Sequence, residues 1–93
     1  MRIRFYIDRD SAESHAAAHG VSEQEVRDVL AFPLEDRPGR EGAWVAVGQT
    51  GAGRYLRVIY VPDPEPDSVF VITAYELGPK AKQALRRRRG RNS

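Results

Sequence analysis

The sequence predicts a small α+β domain whose elements run β-α-α-β-β-β-α, with an antiparallel sheet and the helices packed on one of its faces. Three observations carry this expectation. Residues 43–61 place two arms rich in β-branched and aromatic residues around Gly51-Ala52-Gly53, and the glycines supply the positive backbone angles that a short hairpin loop needs. Residues 68–76 (Ser-Val-Phe-Val-Ile-Thr-Ala-Tyr-Glu) have the same character. The segment before them, Pro62-Asp-Pro-Glu-Pro-Asp67, can join no sheet ladder and so forms the turn. A three-stranded antiparallel sheet must bury at least one face, and the helical stretches before and after it are the natural cover.

Taken in order, residues 2–7 alternate charged and apolar side chains through Phe5, which fits a strand with one wet face. Its two arginines, Arg2 and Arg4, suit an edge position. Asp10 or Ser11 can cap a first helix that Ala12, Ala16 and Ala17 favour and that Gly20 stops. The second helix has the clearest local signature. Ser22 followed three residues later by Glu25 makes a capping box, and Val21 before the cap can pack on Val26 as a hydrophobic staple. Val26, Val29 and Leu30 form the apolar stripe, and Pro33 ends the helix near Phe32. Residues 34–42 then read as a charged loop carrying Arg37 and Arg40. After the sheet, Gly78-Pro79 opens a last helix with Ala81, Ala84 and Leu85 as a narrow apolar stripe.

Composition sets the function classes. Ninety-three residues allow one domain, residues 1–85, followed by a basic tail at 86–93. Zero cysteines exclude a disulfide framework and any thiolate metal site. With no apolar leader and no run of membrane-spanning length, a cytoplasmic protein with no membrane contact is expected. The net charge of +2 hides an asymmetry: residues 77–93 hold seven basic side chains and no acid, leaving eight basic against thirteen acidic residues in the body. Such a tail either meets a polyanion or is a solvated terminus.

Asp8, His19-Gly20-Val21-Ser22, the acidic helix, the charged loop, Trp44-Val-Ala-Val-Gly48, Gly53-Arg54-Tyr-Leu and Val71-Ile-Thr-Ala74 before a basic helix together resemble the BrnT family of bacterial toxins. The similarity spans about residues 8–85. It implies a RelE-like fold and a metal-independent ribonuclease with no cofactor, the toxin of a toxin–antitoxin pair. Its implied partners are RNA and an antitoxin protein encoded by a neighbouring gene. This chain departs from the family pattern at Ala18 and at Tyr75-Glu76, where the family carries a lysine and an Arg-Lys pair. Either the chemistry rests on other residues, or the fold serves as a non-catalytic module that binds RNA or a protein.

Cleaving RNA without metal needs a base for the 2′-hydroxyl, cations for the charge that grows on phosphate, and a donor for the leaving oxygen. His15 and His19 are the chain's histidines, the residue type that ordinarily titrates near neutral pH, and are the candidate base or acid. Their spacing also suits two zinc ligands, yet no third ligand of fitting type is apparent, and a histidine at a helix C-terminus is favoured by the dipole alone. Arg54 and Arg57 lie three apart on a strand and so face opposite sides. Arg57, in mid-strand, either binds phosphate or pairs with a carboxylate, whereas Arg54 is beside the hairpin loop and is a second RNA-binding candidate. Thr73 and Tyr75 share one face of the last strand and offer hydroxyls, with Tyr75 a candidate catalytic donor. Lys80, Arg86, Arg87 and the arginines after them add phosphate attraction without specifying a site.

Overall fold

The computed structural model describes residues 1–7 and 14–91. Its elements are β1 (Arg2–Phe5), a single helical turn α1 (His15–Ala18), α2 (Glu23–Ala31), β2 (Glu35–Pro38), β3 (Trp44–Gln49), β4 (Tyr55–Pro62), β5 (Ser68–Glu76) and α3 (Pro79–Arg91). The strands form one sheet in the order β1-β5-β4-β3-β2. β1 runs parallel to β5 and the other pairs are antiparallel, so the sheet is mixed.

This corrects the expected fold in three respects. Setting the single turn α1 aside, the order is β-α-β-β-β-β-α, not β-α-α-β-β-β-α with two helices at the start. Of the expected first helix only that turn is described; its expected start at Asp10 or Ser11 lies outside the described residues. The charged loop at 34–42 contains a strand, with Glu35 opposite Val47 and Arg37 opposite Val45. An edge strand needs a partner on one side only and keeps its side chains wet, so charges and a terminal proline are tolerated where composition alone signals a loop. Finally, helices cover both faces. β3 and β4 carry apolar residues at successive positions, so neither face is wholly wet and each recruits a helix.

Beneath α2, Val26 and Val29 pack with Ala46, Leu56, Val58, Tyr60, Val71 and Ala74 in the main core. The capping box is present as read: Ser22 Oγ accepts from Glu25 N–H and Glu25 Oε1 from Ser22 N–H. Val21 and Val26 are both buried in that core. The helix comes close at Gly48, where a Cβ would meet Val29 Cγ1 at 3.2 Å. On the opposite face, Leu85 of α3 packs with Val47 and Leu77, with Leu34, Val45, Tyr55 and Ala81 around them. The hairpin falls where expected, with Gly53 at φ +94°. β5 then makes a bulge: Ile59 faces Thr73 while Tyr60 faces Val71, so Ile72 is the extra residue. That slip lets Val71 and Ala74 both enter the core under α2 and turns Thr73 and Tyr75 to the α3 side.

Candidate functional site

α3 covers only one end of its sheet face. Beyond its apolar stripe the face opens into a groove of about 650 Å³, lined by Arg37, Arg40, Val45, Arg57, Ile59 and Tyr75 together with the turn after β2. The register explains the assembly. Arg37, Val45, Ile59 and Thr73 stand in one row across β2, β3, β4 and β5, and Val47, Arg57 and Tyr75 stand in the next.

Arg57 Nη1 lies 3.4 Å from the Tyr75 hydroxyl, and its guanidinium carbon is 5.8 Å from that ring's centroid. His19, just past α1, meets the same ring edge-on, with centroids 6.1 Å apart and planes at 63°. The three candidates His19, Tyr75 and Arg57 therefore form one contiguous row, with Tyr75 in the middle. α1 lies against β5, which is what brings a histidine from before α2 to the last strand. His15 begins α1, and its side chain lies outside what the structure describes.

Arg37, Arg40 and Arg57 form no ion pair among the described residues, although Arg57 is half-buried. A guanidinium without a carboxylate partner keeps its donors open to an external anion. Arg54 is different. It donates to both oxygens of Glu25 at 2.9 and 2.8 Å, to Glu76 Oε1 at 3.2 Å and to Gly20 O at 3.2 Å. Its charge is used inside the protein. Arg88 likewise forms a two-point pair with Glu35 at 2.7 and 2.9 Å, and Arg89 donates to Leu34 O. These contacts hold Glu35 below the usual carboxylate range, first through the Arg88 hydrogen bonds and then through the charges of Arg88, Arg37 and Arg89. Glu25 is also lowered, chiefly by the Ser22 N–H and then by Arg54.

Thr73 belongs to the groove's face, yet its Oγ1 is buried with no hydrogen-bond partner. Lys80 is exposed in the first turn of α3, and Arg86 and Arg87 are exposed farther along a helix that continues to Arg91. Among the described residues no group of three or more His, Cys, Asp or Glu side chains is placed to hold a metal ion. Sequence reading left Arg37 and Arg40 out of the site because they sat in an apparent loop. The signal that could have found them is the alternation Glu35, Arg37 against Asp36, which assigns Arg37 to one face once the segment is taken as a strand. Asp36 does turn the other way, accepting from the Tyr60 hydroxyl at 2.8 Å. Burial and then Asp36 push the ionisation of Tyr60 up, so it stays a neutral donor.

No helix among the described residues is long and apolar enough to cross a membrane. Comparison with curated proteins and with solved structures finds no match. Residues 11–76 match the family described as a domain of unknown function, DUF4258, which takes in α2, the hairpin and β5, and with them every residue of the groove. On that match across most of its length, the chain belongs to the DUF4258 family.

Proposed function

We propose that this chain binds single RNA strands in the groove and cleaves them without metal, as the toxin of a toxin–antitoxin pair does. The observation that carries the reading is the contiguous row of His19, Tyr75 and Arg57 beside a groove whose arginines form no ion pair among the described residues. In the reaction, His19 takes the proton of a 2′-hydroxyl, whose oxygen attacks the adjacent phosphorus. The 5′-oxygen leaves with a proton from the Tyr75 hydroxyl, and the products are a 2′,3′-cyclic phosphate and a 5′-hydroxyl. Arg57, donating toward the Tyr75 oxygen, eases loss of that proton and, with Arg37 and Arg40, stabilises the charge on the phosphate. Proton return from His19 through water resets the site. The resemblance to BrnT toxins adds an antitoxin partner and action in the cytoplasm, where transcripts are.

A second reading keeps the groove and drops the cut: His19 contacts Tyr75 but is not itself part of the groove lining, which suits a module that binds RNA only. The test is incubation of the purified chain with RNA in chelator beside His19→Ala. Cleavage leaving cyclic phosphate ends, lost in the variant, supports the nuclease. Binding without cleavage in any buffer gives first place to the module.

A further inference from the structure

The groove is not uniformly cationic. Val45 and Ile59 face each other across β3 and β4 in its floor, and Ala43 and Pro38 extend the apolar surface toward β2. Arg37 stands opposite Val45, and Arg57 is two residues from Ile59 on the same face of β4. Arg40 belongs to the tight turn that Gly39 N–H closes on Ala43 O at 2.8 Å. A cleft for phosphate alone gains nothing from an aliphatic floor, since apolar surface set against a hydrated polyanion stays without an apolar partner. Tyr75 is already engaged, with the Arg57 guanidinium carbon 5.8 Å from its ring centroid and the His19 ring at 63° to its own. Its hydroxyl accepts from Arg57 Nη1 at 3.4 Å and tethers that side chain, and a guanidinium plane is itself a surface on which bases stack.

From this arrangement we infer that the groove seats one unpaired RNA base on Val45 and Ile59 with Arg57 stacked on it, while Arg37 and Arg40 hold the flanking phosphates. The inference rests on the reading of the groove as an RNA site and names the part of the strand it recognises, an unpaired base. A duplex keeps its bases stacked inside and offers the floor no base face.

The experiment is fluorescence anisotropy of the full chain with a short 2′-O-methyl strand, which resists cleavage by its own hydroxyl. The same strand built with abasic spacers, its duplex and inorganic polyphosphate are the other probes. The intact strand is expected to bind about tenfold more tightly than the abasic one, at an unchanged slope against salt, as loss of a stacked base implies. Duplex and polyphosphate should compete no better than the abasic strand. Ile59→Ser should weaken the intact strand about tenfold and leave the abasic strand unchanged; the abasic comparison uses the unmodified chain and decides the matter even if that variant fails to fold. Equal affinity for intact and abasic strands overturns the base seat while the RNA site stands. Binding of none of the strands overturns both.

Discussion

Arg54, just before β4, and Arg57, within it, are each stabilised in a different way. Arg54 is tied to Glu25, Glu76 and Gly20 O, so it fastens the start of α2 to the end of β5. Among the described residues, Arg57 has only the Tyr75 hydroxyl and ring. Removing them should therefore give opposite phenotypes. Arg54→Ala takes a donor from two carboxylates and a carbonyl, and its thermal midpoint should fall clearly below that of the parent chain. Arg57→Ala strands no carboxylate among the described residues, so its midpoint should hold while cleavage of RNA drops by about 10²-fold, as loss of a donor to developing charge typically does. A melting curve and a cleavage assay on the two variants check both halves; a large fall in midpoint for Arg57→Ala would make it a structural residue. Strand alternation in the sequence sufficed to put these arginines on opposite faces. It could not reveal the partner of Arg54, which lies 29 positions away and arrives only when α2 docks. The same limit hid the neighbours of His19, because the contact with Tyr75 depends on how α1 lies along β5.

Among the elements, those defined by local signals were legible and those defined by neighbours were not. The hairpin of β3 and β4, the strand β5 and the capped start of α2 each have their instructions within a few residues. Ser22→Ala should accordingly cost about 1 kcal/mol, seen as a midpoint lower by roughly 4–8 °C in a chain of this size. β2 carries no such instruction: Glu-Asp-Arg-Pro becomes a strand because β3 has a free edge to offer. Nor does β1 announce its direction, which is set by Arg2 N–H bonding to Asp67 O and Tyr6 N–H to Val71 O. The same helix start and edge strand make stability depend on acid. Glu25 and Glu35 both sit below the ordinary carboxylate range when folded. The unfolded chain thus binds protons that the folded chain refuses, and stability rises with pH through that interval. Their contribution is complete above the ordinary glutamate value of about 4.3 and is lost as pH falls toward the lowered values. Thermal scans from neutral pH downward should show the midpoint dropping below about pH 4, and Glu25→Gln should reduce that drop.

On the scale of the whole molecule, the acidic body and basic terminus seen in the composition meet most closely at one place, the Lys82–Glu76 pair being looser at 3.9 Å. Arg88 of α3 clasps Glu35 of β2, and Glu35 is also within the electrostatic reach of Arg37 on the groove. The basic helix is thus an integral part of the sheet's cover, and on the proposed reading its arginines do two jobs: Arg88 neutralises an acid that would otherwise compete for a groove arginine, while exposed Arg86 and Arg87 add to the field around it. This arrangement separates two effects of charge that a simple truncation would merge. Arg87→Ala removes one exposed cation and should lower RNA affinity slightly, with a salt slope smaller by at most about 0.7. Arg88→Ala removes a cation that is already paired, yet it frees Glu35 to draw Arg37 away from phosphate. RNA affinity should then fall more in Arg88→Ala than in Arg87→Ala, and the Glu35 carboxyl should titrate closer to its ordinary range. Adding Glu35→Gln to Arg88→Ala takes away the competing charge and should restore affinity to near that of the parent chain. Titrations of the three variants at several salt concentrations measure this. If Arg88→Ala and Arg87→Ala weaken binding equally, and Glu35→Gln brings nothing back, the clasp is a structural tie between α3 and β2 that has no hold on the groove.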